Sequence, residues 1–324
     1  MNRLTRRATL GAATALALAP AARAQAYPTK PIRILVPFPA GGIVDIVTRA
    51  LADPMQADLG QTMVVEPKPG GNSTLATAMI PQLPADGYNS VMATISHVVV
   101  PHLQSVPYDP LMDFQPVALA TVATSVATVN PSLPVKTLKE LVDYAKANPG
   151  KLNYLNPGNG TSLHLSTELL KNQYEVDITP VPYRGVPPGV PDLLEGRLQV
   201  GWLPGPLAIQ HVQSGKLRAL AVLADKRLAT LPDVPTFAEA GFADAQVVSW
   251  YVIAVRAGTP APIVERLHAS ALKALQDPAC RDRLTKAGCE VPPPVSPAEV
   301  LAMWKADYVR YGKLVKEAGI KAET

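Results

Sequence analysis

Ile32-Arg33-Ile34-Leu35-Val36-Pro37-Phe38-Pro39-Ala40-Gly41-Gly42 runs from a short β-branched stretch into a glycine turn. Val44, Val47, Leu51 and Met55 then recur at helical spacing, and Gly60 closes that segment. Strand, glycine turn and helix in that order open an α/β unit, and the pattern returns along the chain. Strands are expected at 63–66, 90–95, 152–155, 180–183, 198–202 and 219–223, with helical segments between them. Thr137 and Glu140 form a capping box, each satisfying the other's backbone donor, ahead of a helix that ends at Asn148-Pro149-Gly150. From residue 261 onward the chain reads as mostly helical.

Alternating strands and helices predict parallel sheets covered by helices on both faces. Two longer extended segments, near 117–129 and 247–255, bracket a central block. A chain that leaves one α/β lobe, builds a second and returns would show this arrangement. The expected architecture is therefore a two-lobed α/β clamp with two hinge crossovers. Residues 27–126 and 249–324 form lobe one, and residues 127–248 form lobe two. No internal repeat is evident. Ligand belongs between the lobes, at the carboxyl ends of the strands.

Composition narrows the function. Hydrophobic residues make up 48% of 324, enough for a sizeable core and too many for a disordered chain. Aromatics at 5% are too sparse for stacking platforms, so nucleic acid is not an expected partner. The formal charge is +4, yet Arg3, Arg6, Arg7 and Arg23 account for all of it, and the rest of the chain is balanced. Those arginines flank a short apolar run and precede Ala22-Arg23-Ala24 and Ala24-Gln25-Ala26, two small-residue cleavage patterns. Residues 1–26 therefore read as a secretory signal peptide, cleaved on export to the periplasm. Thr5-Arg6-Arg7-Ala8-Thr9-Leu10 fits a twin-arginine signal, and an ordinary Sec signal with two arginines remains open. Cys280 and Cys289 are separated by a helix that carries the chain about 10 Å, beyond disulfide reach, so two free buried thiols are expected.

Five stretches could carry chemistry. The Pro37–Gly42 turn sits between strand and helix, where backbone N–H groups and the helix N-terminus favour an anion; a plain tight turn is the alternative. Asn156-Pro157-Gly158-Asn159-Gly160-Thr161-Ser162 has the same context, and Thr161 and Ser162 can cap the helix or meet a carboxylate. His164 and Glu168 share a face of that helix, but no third ligand accompanies them, so no metal and no cofactor is expected. Arg184, after Tyr183 at a strand end, could pair with a carboxylate or lie on the surface. His97, beside Ser96, could donate to an acidic ligand. Trp202 is either an aromatic wall or core packing. No nucleophile elbow, zinc-binding helix motif or Ser-His-Asp arrangement is present in the sequence.

Many short stretches, in one order along nearly the whole chain after residue 26, resemble the Bug family. These are the extracytoplasmic solute receptors of tripartite tricarboxylate transporters. They include Tyr27-Pro28-Thr29-Lys30-Pro31, the Val36–Gly42 turn with Asp45, Asp86-Gly87-Tyr88, and Pro107-Tyr108-Asp109-Pro110. Further along stand Asn148-Pro149-Gly150-Lys151-Leu152-Asn153-Tyr154, Val181-Pro182-Tyr183-Arg184-Gly185, Leu231-Pro232-Asp233-Val234-Pro235-Thr236 and Ala257-Gly258-Thr259-Pro260. The resemblance implies a type II periplasmic binding protein and a carboxylate gripped by the two glycine turns. Carried over, the gripping positions are Phe38, Ala40, Gly41 and Gly42 in one lobe, and Asn159, Gly160 and Thr161 in the other. His164, Tyr183 and Arg184 are close by.

This chain departs from the family pattern at Ile43-Val44, His97, Asn156-Pro157 and Trp202-Leu203-Pro204. The departures fall where the ligand is expected, so they bear on its identity. Trp202 and His97 flanking a ring would suit a larger aromatic mono- or dicarboxylate such as terephthalate. The expected role is a monomeric receptor, not an enzyme, that delivers this acid to the membrane components of a tripartite tricarboxylate transporter. A ligand-presenting co-receptor for signalling and a secreted enzyme acting on a carboxylic acid are the alternatives.

Overall fold

The computed structural model describes residues 27–317, 319 and 320. The signal peptide expected at residues 1–26 lies outside the described residues. The first lobe opens with β1 (Ile32–Val36), α1 (Ile43–Leu59), β2 (Met63–Pro67), α2 (Thr74–Met79), β3 (Asn89–Thr94), α3 (Ser96–Leu103) and β4 (Phe114–Ala123). The second lobe follows as β5 (Ser125–Val129), α4 (Leu138–Ala147), β6 (Leu152–Asn156), α5 (Ser162–Gln173), β7 (Ile178–Pro182), α6 (Val190–Leu194), β8 (Val200–Pro204), α7 (Gly205–Gln213) and β9 (Arg218–Leu223). The chain returns through β10 (Ser249–Arg256), α8 (Ala261–Ala274), α9 (Pro278–Lys286), β11 (Cys289–Glu290) and α10 (Pro297–Glu317).

Two sheets result, ordered β11-β4-β10-β3-β1-β2 and β7-β6-β8-β5-β9. Each contains three parallel strands, β2-β1-β3 or β7-β6-β8. The expectation of purely parallel sheets needs correction, because both sheets are mixed. β10 runs antiparallel to β3 and β4, and β5 runs antiparallel to β8 and β9. The cause is the crossover itself. A strand arriving from the other lobe enters at the cleft, where its parallel neighbours end, and must run away from it. Thus Tyr251 of β10 faces Thr94 at the end of β3, and Ser125 of β5 faces Pro204 at the end of β8.

The first crossover is a single residue. Thr124 donates its N–H to the Gly288 carbonyl (3.1 Å) and accepts from the Gly205 N–H (2.9 Å), so each lobe holds one side of the hinge peptide. The second crossover spans residues 224–248. The first sheet is covered on both faces, as its strands' burial requires. Ile32, Ile34 and Val36 pack with the buried stripe of α1 and with α8 and α9, while Leu35, Val91 and Ala93 belong to the larger core shared with the second lobe.

Local sequence accounts for most element ends. Thr137 caps α4 by accepting from the Glu140 N–H (3.1 Å). The reciprocal bond differs from the expected box: the Glu140 carboxylate takes the Lys136 N–H (2.6 Å), one residue earlier. Cys280 and Cys289 are both buried and unbridged. Burial pushes the Cys280 thiol up to about 11 and the Cys289 thiol to about 12, which leaves both inert at neutral pH.

Candidate functional site

The carboxyl ends of β1, β3, β6 and β8 meet across the cleft between the sheets. The turns that follow them, and the first residues of α1, α3, α5 and α7, line a cavity of about 880 Å³. This is the topological switch position at which open α/β sheets bind ligands. Its walls are largely apolar, with hydroxyls from Ser96, Ser125, Thr161, Ser162, Ser249 and Tyr251 among the lining residues. A second cavity of about 270 Å³ adjoins it, sharing Phe38, Pro39, Pro157, Thr161 and Gly185. The smaller one is closed by the 69–73 turn from the first lobe and by Tyr183 and Arg184 from the second.

The two glycine turns differ in what they leave for a ligand. In the first, Asp45 reaches back from α1 and accepts the Gly41 N–H (3.0 Å) while Arg49 donates to the same carboxylate (3.0 Å). No side chain caps the N-terminus of α1 at Gly42. The second turn is knitted to itself. Gly158 donates to the Asn156 side chain (3.0 Å), Gly160 to His164 Nδ1 (3.3 Å) and Thr161 to the Gly158 carbonyl (3.3 Å). The Thr161 hydroxyl is also committed, donating to the Gly158 carbonyl (2.9 Å) and accepting from the His164 N–H (3.2 Å). Backbone donors of 158–161 are therefore spent within the turn or on the other lobe.

Three polar bonds tie the lobes together around the cleft. Asn159 donates its N–H to Asn72 Oδ1 (3.2 Å), Ser96 Oγ donates to the Gly160 carbonyl (3.2 Å), and the hydroxyls of Ser162 and Ser249 meet. Asn72 and Ser73 both hold a left-handed backbone, at φ 54° and 78°. That conformation is costly for residues with a Cβ, and strained positions of this kind gather at ligand clamps. Ser73 Oγ is buried with no hydrogen-bond partner among the described residues.

The sequence-derived candidates separate into groups. Phe38, Gly41, Gly42, Ser96 and Thr161 line the larger cavity, and Tyr183 and Arg184 line the smaller. Ala40 is exposed and lines neither. Asn159, Gly160 and His164 are buried beneath the second turn, where they shape it. His164 Nδ1 accepts, which leaves the proton on the buried Nε2, and burial depresses the ring to about 4. The Tyr183 hydroxyl is engaged by Asp192.

The aromatic flank anticipated from His97 and Trp202 is not formed. His97 is buried on the far side of α3, donating from Nε2 to the Pro110 carbonyl (2.8 Å) and packed 4.6 Å from the rings of Phe114 and Trp304. Trp202 is 1% exposed and packs edge-on to Phe237. Neither lines either of the two cleft cavities. Ile43, one of the departures expected at the ligand, does line the larger cavity, whereas sequence reasoning missed Ile46, Leu163, Val190 and Leu207 as cavity walls, and Asn72 and Ser73 as a cross-lobe turn. The signal for the walls was present, since several directly follow a glycine or proline turn. Ser249 and Tyr251 carry no such signal, because β10 brings them from far along the chain. Among the described residues, no group of three His, Cys, Asp or Glu could hold a metal, and no helix is long and apolar enough to cross a membrane.

Two mixed α/β sheets, two crossovers and a cleft at the switch point define a two-lobed periplasmic binding protein. Residues 47–320 match the tripartite tricarboxylate transporter family receptor, TctC, and the chain belongs to that family. It is 32% identical over 301 residues to the protein BugT of Bordetella pertussis, covering 92% of each chain. Among solved structures it is similar to the periplasmic binding protein BugD (33% identity, TM-score 0.85, 92% of this chain and 100% of that one). It is also similar to R. palustris Rpa4515 with adipate (32%, TM-score 0.84, 91% and 99%). MatC from Rhodopseudomonas palustris with bound malate is a further match (31%, TM-score 0.84, 89% and 100%).

Proposed function

We propose that this chain is a periplasmic receptor that captures a carboxylate in its interlobe cleft and delivers it to the membrane components of a tripartite tricarboxylate transporter. Export with removal of residues 1–26 and action as a monomer belong to the same reading. The observation that carries it is the cleft itself, which both lobes line with strand-to-helix turns and hydroxyls. Both histidines near it are spent on structure, so capture without turnover is the chemistry on offer. Family membership and the adipate and malate seen in relatives support a carboxylate.

Phe38, Gly41, Gly42, Ser96, Thr161 and Arg184 are the proposed contacts. The apolar walls of the larger cavity suit an acid with an apolar or aromatic body, and the rings of His97 and Trp202 take no part in holding it. Isothermal titration of the purified protein with aliphatic and aromatic carboxylates tests the proposal. One saturable site per chain, with each acid recovered unchanged, is the expected result. Conversion of the bound acid, or no saturable binding by any of them, would overturn it.

A further inference from the structure

The two adjoining cavities differ in chemistry. The smaller one is lined by two side chains suited to an anion. Arg184 has no acidic partner among the described residues, and Ser73 Oγ is buried with its hydrogen-bonding capacity unused, in a residue 4% exposed. Both residues line this cavity, and a guanidinium and a hydroxyl can each donate to a carboxylate. A buried hydroxyl without a partner is costly, and a ligand oxygen would remove that cost.

The larger cavity offers the opposite. Ile43 and Ile46 of α1, Leu163 of α5, Val186, Val190 and Leu207 form its walls. Three cations border it, and each is already neutralised: Arg49 by Asp45, Arg283 by Asp53 and Lys286 by Asp282. Among the described residues, no unpaired cationic side chain lines it for a second carboxylate. Apolar walls of this extent favour burial of hydrocarbon.

Resting on the carboxylate-receptor reading, we propose that the ligand is an amphiphilic monocarboxylate. Its charged head occupies the smaller cavity against Arg184 and Ser73, and its apolar body lies in the larger one. Ser73 and the cavity walls thereby become specificity-determining residues. The arrangement selects against short dicarboxylates, whose second charge would face hydrocarbon.

Titration calorimetry with butyrate, hexanoate, octanoate, 4-phenylbutyrate, adipate and malate tests this. Affinity is expected to rise by up to about fourfold for each methylene added to the alkanoate. Hexanoate should bind more tightly than adipate, which has the same carbon count. Arg184→Gln should weaken the whole series by about tenfold without changing its dependence on chain length. Leu207→Ser should weaken octanoate by a larger factor than butyrate. Ser73→Ala supplies a second head-group variant, expected to weaken every acid by roughly threefold or more. Tighter binding of adipate or malate than of hexanoate, a series flat in chain length, or full affinity in both head-group variants would overturn the head-and-tail arrangement while leaving the receptor reading intact. Absence of saturable binding by every acid would overturn both.

Discussion

His97 and His164 are sealed from solvent, and burial depresses each ring to about 4. Both are therefore neutral in the native state at pH 7. Unfolding exposes them to water, where the ordinary value is near 6.5. Between about pH 6.5 and pH 4 the unfolded chain binds more protons, so stability falls as pH falls through that window. The loss is on the order of 3 kcal/mol for each ring. Denaturant melts from pH 7.5 to pH 4 should show that slope. His97→Gln keeps a donor for the Pro110 carbonyl, and should cost about 2 kcal/mol at pH 7 through lost ring packing while flattening the slope. Gly160 is decisive in another way. Its φ is +81°, and a Cβ there would lie 2.7 Å from Val100 Cγ2 on the opposite lobe. Gly160→Ala should lower stability by about 1–3 kcal/mol and weaken ligand binding, because the added methyl wedges the lobes apart. Gly215→Ala is the control: it has the same backbone strain in open space, so stability should fall without a change in affinity. His97 and Trp202 show why side-chain direction was harder to read than element identity. Successive helical residues point about 100° apart, so Ser96 at the start of α3 faces the cleft while His97 turns into the core. Trp202 likewise alternates with its strand neighbours, and only the packing of Phe237 shows which face is inside.

The α1 unit was legible as an element because every level of its sequence agrees. β-branched residues precede the turn, glycines form it, and a stripe of Val44, Val47, Leu51 and Met55 is buried after it. Asp45 makes this unit more than a pattern: its carboxylate clips the Gly41 N–H and so holds the cleft turn to the helix that follows. Asp45→Ala should cost about 1–2 kcal/mol and reduce ligand affinity together, read by melting and titration of the same sample. Thr137→Ala removes the cap of α4, far from the cleft, and should cost about 1 kcal/mol with affinity unchanged. The contribution of β10 to the cleft was not legible. Ser249 and Tyr251 sit in an ordinary strand pattern, and only sheet order brings them beside Ser162.

At the scale of the molecule, the two lobes share a plan that sequence comparison within the chain did not reveal. Each places three parallel strands in the order second, first, third, then an antiparallel strand received from its partner, then the strand that departs. Topology is kept by backbone pairing and burial pattern, which many residues satisfy, so the repeat survives without matching letters. The Asn72–Asn159, Ser96–Gly160 and Ser162–Ser249 contacts hold the lobes together. Replacing Asn72 and Ser249 together by alanine should enlarge the radius of gyration of the ligand-free protein in small-angle scattering. It should also weaken binding in proportion to the fraction held open.

Placement of β10 between β3 and β4 carries a consequence for biogenesis. The second lobe is one continuous run of chain and can complete its sheet once β9 has emerged. The first lobe cannot: the facing edges of β3 and β4 stay unpaired until residues 249–256 arrive. Synthesis order and folding order are thus reversed, with the lobe begun first finished last. Pulse-labelled hydrogen exchange during refolding should protect β5–β9 before β1–β4. Until then the open edges of the first lobe are the places where a nascent chain is exposed to mispairing and accessible to a chaperone.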